Sequence, residues 1–434
     1  MKTNNPMTHT EGHPPSWYAA TLAYHNRYPS LDSDIEAEIC VIGGGLSGVN
    51  TALELAERGH SVVLLEARQI GWGASGRNGG QLIRGLGHGL EPFRKQIGQE
   101  GIDAITGMGL EAVEIVRERV AKYNIDCDLV WGYADLANNA THMAGMKAEF
   151  DSLKALNYRH HIEMVPKERM SEIVGSDQYV GGMIDMGSGH VHPLNLVLGE
   201  AAAAADLGVQ IFEGSEVIDI KQGHPLVIKT AKGTVTAQKA VICGNAYVGE
   251  LNRKLGGKVL PAGSYVIATE PLDDAMAKRV LPQNMAVCDQ KLALDYFRLS
   301  KDNRLLFGGL CNYSGRDPKS IEGVLKPHLE QVFPYLKDLR VDYQWGGMIG
   351  IGANRLPQIG RVQSNIYYAQ AYSGHGLNAT HMAARLIAES IHGESNRIEV
   401  FEKVSHMTFP GGRYLRSPLL ATGMLYKRVM ELLE

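Results

Sequence analysis

The sequence predicts a mixed α/β fold in which a Rossmann-like dinucleotide-binding domain is interleaved with a second, mostly antiparallel sheet. Three observations predict it. An apolar strand runs into Gly43-x-Gly45-x-x-Gly48, then a helix, then a second strand that ends at Glu66. Strand-like runs occupy residues 263–312 with little helical pattern between them. Elements of the first kind then return in the middle and at the end of the chain, so the two units share the sequence rather than follow one another.

The elements follow in order. Residues 35–66 read strand, Gly-rich loop, helix, strand. Residues 101–123 read as a helix with Leu110, Val113, Val116 and Val120 on one face, and 145–157 as a second. A third spans 192–207, introduced by Pro193 and ended by Gly208, and a strand follows at 209–212. Residues 215–243 form a meander of EVIDIKQ, PLVIKTA and GTVTAQ and then the buried strand AVICG. SYVIATE, ALDYFRLS and RLLFGGL are strands of the second sheet, 319–337 is helical, and a strand at 365–371 precedes a helix from about 379 to 391. The expected partition is an N-terminal arm at 1–34, a discontinuous cofactor domain at 35–90, 160–260 and 346–395, a substrate domain at 91–159 and 261–345, and a C-terminal helical extension at 396–434. The final segment, SPLLATGMLYKRVMELLE, reads as an amphipathic helix docked on the body or on a neighbouring subunit, which allows a homo-oligomer.

Composition removes several function classes. The chain has 434 residues, 44% hydrophobic and 21% charged, which suits two or three globular domains. Fifty glycines are about 12% of the chain, against ~7% on average, so many tight turns or close backbone approaches are expected. A net charge of -4 supplies no basic field for nucleic acid. Five cysteines with no C-x-x-C pair give neither a disulfide framework nor a zinc site, and point to a reducing cytoplasm. The first 34 residues lack an apolar leader core, and no uncharged run approaches the ~20 residues of a membrane span.

The fingerprint has a physical reading. Gly43 permits the tight turn, Gly45 lets the backbone approach a pyrophosphate, and Gly48 lets helix and strand pack closely. Leu46 and Ser47 open the helix, whose free N–H groups face the diphosphate. Glu66 stands where a carboxylate binds the hydroxyls of an adenosine ribose, which disfavours a 2′-phosphate. The segment after it, ARQIGWGASGRNGGQLIRG, is long, polar and glycine-rich, where an NAD domain would continue with regular βαβ units. An extended run of this kind suits a larger cofactor, with Ala67, Arg68, Gly73, Ala74, Ser75, Arg77, Asn78, Gly79, Gly80 and Gln81 as its contacts.

With GASGRNGGQ, GHVHPLNL, GNAYVG, LPQIGR, YSGHG and FPGGR, the chain resembles the FAD-dependent amine and amino-acid oxidoreductases of the D-amino-acid oxidase and sarcosine oxidase superfamily. Within it, the likeness is to bacterial L-pipecolate and gamma-glutamylputrescine oxidases, over nearly the whole length. The resemblance implies a glutathione-reductase-type FAD domain and an antiparallel substrate domain. It places Ser373, Gly374, His375, Gly376, Leu377 and Asn378 against the flavin ring. Val217, Gly244 and Gly347 complete the expected cofactor contacts. It implies hydride transfer to FAD from a carbon bearing nitrogen, giving an imine that hydrolyses, with oxygen or another acceptor reoxidising the flavin. The run WGGMIGIGANRLPQIGR has no cysteine where some relatives attach FAD, so the FAD is expected to be non-covalent. Asn378 replaces a lysine of some relatives, and Lys291 and Lys301 are the candidates for an oxygen-activating lysine.

For the substrate, the resemblance aligns Arg84 with the loop that holds a carboxylate in sarcosine oxidases. It favours an alpha-imino acid such as L-pipecolate, with a gamma-glutamylputrescine oxidase and a non-catalytic FAD-binding subunit as alternatives. Tyr296 and Arg298 are candidates for the other pocket wall, and Trp345 and Tyr265 for the core. No catalytic acid-base constellation is evident. His190 and His192 lack a third ligand at metal spacing and read as structural, so no metal is expected. Cys40 and Cys243 read as inert core residues. The absence of a second dinucleotide fingerprint and of C-x-x-C argues against a pyridine-nucleotide flavin reductase.

Overall fold

The strand Ile35–Ile42 begins half exposed and ends in four buried residues, which places it in the middle of a sheet. In the computed structural model, which describes residues 12–249, 251–291, 294–313 and 317–410, it pairs in parallel with Val62–Leu65 and with Thr234–Ile242. Gln210–Phe212 extends the sheet beyond Val62–Leu65, and Ile366–Gln370 extends it in parallel on the other side. Gln358–Gln363 closes that edge antiparallel, and the hairpin of Asp219–Lys221 and Leu226–Lys229 pairs with Thr234–Ile242. GTVTAQ and AVICG, expected as separate strands, are one continuous strand whose first half holds the hairpin and whose second half is buried.

The helix Leu46–Glu57 is buried along ten of its twelve residues, because it lies between Pro193–Asp206 and Leu377–His392. Leu377–His392 starts two residues before the expected position, since the glycine turn ahead of it already ends at Gly376, and Gly393 caps its far end in the left-handed region at φ 83°.

The second sheet runs in the order Val341–Gly352, Val259–Pro271, Arg304–Asn312, Asp295–Leu299, Ala286–Asp289, Val130–Ala137, Gly181–His190 and Gln81–Leu82, with Ile162–Pro166 also paired to Gly181–His190. It is antiparallel except where Ala286–Asp289 meets Val130–Ala137. One face carries Ile267, Val287, Phe297 and Phe307 against the helix Ile321–Val332. Phe297 stacks on Phe307 at 5.5 Å between ring centroids and meets Phe333 edge-on at 5.1 Å, pairs each worth about 0.5–1.5 kcal/mol beyond their burial. Alternation puts Tyr133, Asp135, Asp185, Cys288, Tyr296 and Arg298 on the opposite face.

Three parts of the expected partition change. Residues 160–190 belong to the second sheet, because Ile162–Pro166 and Gly181–His190 hydrogen-bond there. The helix Arg94–Lys122 packs on Leu377–His392, and its buried residues join the core of the first unit. The boundary at 346 falls inside the strand Val341–Gly352. A strand follows its hydrogen-bonding partner, and a chain position alone does not show which sheet offers one. Of the C-terminal extension, a short helix at Glu399–Glu402 is described, while the amphipathic segment at 417–434 lies outside the described residues. Among the described residues no helix is long and apolar enough to cross a membrane.

Candidate functional site

The dinucleotide turn is built as its glycines require. Gly43 has φ 110°, and a Cβ on it would lie 2.8 Å from the Cys243 carbonyl oxygen. A Cβ on Gly48 would lie 1.8 Å from the Gly43 carbonyl oxygen, so strand and helix touch backbone to backbone. Ser75 reaches back to accept the Leu46 N–H at 2.8 Å, and Gly45 sits against the same hydroxyl, which ties the glycine-rich segment to the helix N-terminus. Glu66 accepts the N–H of Gly44 at 2.6 Å and of Arg68 at 2.7 Å. Burial pushes its carboxyl up, and these two N–H groups hold it down. A carboxylate has about four acceptor positions, so two remain for vicinal hydroxyls. This donor and acceptor set fits the adenosine diphosphate half of FAD.

The segment at 67–81 is braced rather than loose. Asn78 donates to the carbonyls of Ala74 and Ser75 and accepts the Gly80 N–H. Arg77 lies over the Trp72 ring at 4.8 Å and donates to the Gly346 carbonyl, while the Trp345 indole donates to the Arg77 carbonyl. Gly347 faces Arg77 and Ala74, where its missing side chain leaves room for the segment. Gly73 faces the Tyr247 ring, Gly79 faces the Tyr296 ring, and Gln81 donates to the Val287 carbonyl. Gly244 caps a short turn after Thr234–Ile242, and Asn245 next to it accepts the Ala371 N–H. Val217 is half-buried in the apolar cluster beside Leu65 and Ile228.

The turn at 372–378 closes on the same place. Tyr372 and Ser47 share a 2.7 Å hydroxyl hydrogen bond, which locks the turn to the first helix. Ser373 and Gly374 take positive φ, 56° and 92°. His375 Nε2 donates toward the carbonyls of Ile83 and Gly85, both 3.1 Å away, and Asn378 donates to the Gly85 carbonyl. Burial lowers the His375 pKa, so the ring is neutral with its proton on Nε2. Gly376 precedes Leu377 at the helix N-terminus, where the dipole favours negative charge. The turn therefore pairs with the backbone on both sides of Arg84 while its helix end stays available for a developing negative charge.

Arg84 does not have the role expected of it. Its backbone lies at the turn, but its guanidinium points into a carboxylate cluster that runs from buried Asp185 to exposed Glu149. Nη1 binds Asp185 at 2.8 Å, and Nη2 binds Glu149 at 2.7 Å with Asp135 at 3.7 Å. The three carboxylates raise its pKa against the cost of burial. An arginine whose charge is exceeded by its partners' does not clamp another carboxylate. Arg298 is also committed, because it donates to the carbonyls of Gly79, Val191 and Leu299 and to the Tyr18 hydroxyl. It staples the glycine segment and the N-terminal arm to the sheet. The Tyr296 ring lies between Gly79 and Gly308, in the roof over the loop.

The remaining candidates sort by contact. Lys301 is on the surface beside Asp128, and Lys291 is held by Asp289 and Asp295 at 3.0 Å each, so neither lysine projects into the loop cluster. His190 and His192 are buried, with pKa values lowered to about 3 by burial and then by Arg298. His192 Nδ1 caps the helix Pro193–Asp206, and no metal-binding group of side chains occurs among the described residues. Cys40 and Cys243 are buried, and Tyr265 is buried in the second core. Asp135 and Tyr133 went unread in the sequence. The signal was present: both are polar-tipped, two residues apart on the otherwise apolar run WGYADLA, where alternation puts them on one face.

Glu66→Ala removes the carboxylate whose two remaining acceptor positions would hold an adenosine ribose. The FAD dissociation constant is expected to rise by about 10–100-fold, as the loss of charged hydrogen bonds implies. Flavin fluorescence on dilution reads it, and an unchanged constant places the ribose elsewhere.

The comparisons agree with this geometry. Residues 38–390 match the family model described as FAD dependent oxidoreductase. The chain is 41% identical over 415 residues to gamma-glutamylputrescine oxidoreductase of Escherichia coli K12, covering 95% of this chain and 97% of the relative. It is 40% identical over 425 residues to a probable oxidoreductase, OrdL, of Haemophilus influenzae, covering 96% and 97%. In fold it is similar to glycine oxidase from Geobacillus kaustophilus, with a TM-score of 0.72, 20% identity and coverage of 86% and 99%. It is likewise similar to L-proline dehydrogenase from P. horikoshii, with a TM-score of 0.71, 22% identity and coverage of 85% and 96%. The chain is an FAD-dependent oxidoreductase of the D-amino-acid oxidase family, acting on amines or amino acids.

Proposed function

We propose that the chain oxidises the C–N bond of a gamma-glutamylated amine, as the name of the Escherichia coli relative suggests for that protein. The carrying observation is the neutralisation of Arg84 by Asp185 and Glu149. The preference for L-pipecolate rested on Arg84 holding a carboxylate beside the reacting carbon, and that support is gone. An amine without such a carboxylate needs no arginine there.

FAD, when bound, supplies the hydride acceptor. The protein's share is positioning and electrostatics. The turn at 372–378 and the glycine segment would hold the ring, and the sheet face with Tyr133, Cys288 and Tyr296 would shield it from water. The helix N-terminus at Leu377 stabilises negative charge in place of the lysine of some relatives. The reacting amine must be neutral to give up hydride.

Anaerobic flavin bleaching by a substrate panel tests this. Gamma-glutamylputrescine is expected to bleach the flavin at least tenfold faster than L-pipecolate, L-proline, sarcosine or glycine at equal concentration. Faster bleaching by any of those amino acids refutes the substrate reading and leaves the family unaffected.

A further inference from the structure

The sheet face with Tyr133, Cys288 and Tyr296 carries one carboxylate, Asp135, that is neither sealed nor fully paired. Asp135 lies on Val130–Ala137, on the face shared by Tyr133, Cys288 and Tyr296. Tyr133 donates to its Oδ1 at 2.9 Å, and the Gln290 amide donates to the same oxygen at 2.9 Å. Its other oxygen has Arg84 at 3.7 Å, beyond hydrogen-bond length. Arg84 is drawn away toward Asp185, which is 0% exposed, whereas the Asp135 side chain keeps 13%. Ile83 packs in the same patch, and its carbonyl receives His375 of the flavin-side turn. One guanidinium thus faces three carboxylates, Asp135, Glu149 and Asp185, a local excess of two negative charges within one side chain's length of the loop at the cofactor.

We propose that Asp135 is the specificity-determining residue on this sheet face, binding a positively charged nitrogen of the substrate and excluding molecules that present a carboxylate there. The proposal rests on the amine reading of the site and adds the residue that enforces it. A cation completes the charge balance that Arg84 leaves unfinished. A carboxylate in the same position adds a fourth negative charge to the patch. Tyr133 and Gln290 orient the carboxylate by holding Oδ1, which leaves Oδ2 to the ligand.

The groups facing Asp135 set its titration. Burial raises its pKa to about 6, and Glu149 and Asp185 act in the same direction against Arg84 and the Tyr133 hydroxyl. Cys288 and Tyr158 on neighbouring elements have raised pKa values and stay neutral through this range. The carboxylate is therefore charged above about pH 6, and cation binding is lost as pH falls through that value.

The test uses the FAD-loaded enzyme and two probes of matched length and opposite charge, 1,4-diaminobutane and succinate, followed by perturbation of the flavin absorbance. The wild type is expected to bind the diamine at least tenfold more tightly than succinate at pH 8, and less tightly below pH 6. Asp135→Asn is expected to weaken diamine binding at least tenfold and to abolish the pH dependence. Asp135→Glu is expected to restore part of both. Tighter succinate binding by the wild type overturns the proposal without any variant, so a variant that fails to fold does not protect it. Diamine affinity within twofold of wild type in a folded, flavin-loaded Asp135→Asn protein also overturns it. Charge-selective probe binding alongside failure of gamma-glutamylputrescine to bleach the flavin retains the Asp135 assignment and rejects only the named substrate.

Discussion

Gly48→Ala is expected to yield protein with no bound flavin. The added methyl would stand 1.8 Å from the Gly43 carbonyl oxygen and 3.3 Å from a Val41 methyl, in a backbone-to-backbone contact. A side chain can rotate out of a clash, but a carbonyl in the dinucleotide turn can move only by opening the turn. Opening it moves Gly43, whose own φ of 110° admits no ordinary side chain and whose N–H is bound to the Leu65 carbonyl at 2.8 Å. The helix Leu46–Glu57 would shift away from the sheet and carry Ser47, and with it the hydrogen bond to Tyr372. One methyl group therefore disturbs both the glycine turn at 43–48 and the turn at 372–378. The ratio of flavin to protein absorbance in purified material is the measurement, and a ratio near that of wild type would show that the turn yields more easily than its contacts imply.

Arg84→Ala is the second large effect, and it separates two roles. In the carboxylate-clamp role the variant keeps its stability and loses affinity for carboxylate-bearing substrates. In the role the geometry gives it, removing the guanidinium leaves Asp185 buried with only Tyr158, Ser188 and the Gly187 N–H as partners. Breaking a buried ion pair from one side costs about 3–5 kcal/mol. The variant is expected to unfold at lower denaturant or temperature by that amount. The Michaelis constant for amino-acid substrates is not expected to rise. An Arg84→Ala protein of wild-type stability with a raised Michaelis constant for L-proline or L-pipecolate would falsify the structural role.

How much was legible in the sequence differs between the two halves of the site. The cofactor half is local in the chain. Gly43, Gly45, Gly48 and Glu66 lie within one strand-helix-strand unit, and each acts through backbone geometry that its residue type already dictates. The glycine segment was readable as a long polar loop, and the turn at 372–378 through the family resemblance of YSGHG, whose positive φ at Ser373 and Gly374 the structure then showed. The substrate half is assembled across the fold. Arg84, Asp135, Glu149 and Asp185 come from a loop, two strands and a helix. Their pairing depends on which way each side chain leaves its backbone, so an arginine placed by motif at the right loop position proved to point the other way. Arg298 shows the same limit, because the carbonyls it satisfies belong to residues 79 and 191, more than a hundred positions away.

The division into domains failed at 160–190 for a related reason. Those residues are strands by their own pattern, yet the sheet they join is chosen by hydrogen-bond partners at 130–137. The sequence by itself determined the fold class and, through the family resemblance, the cofactor, while the dinucleotide turn at Gly43, Gly45 and Gly48 follows from short-range backbone sterics. Only the tertiary structure decided the sign of the charge around Arg84. That sign is a sum over side chains brought together from distant parts of the chain, and in this protein the sum around Arg84 is negative.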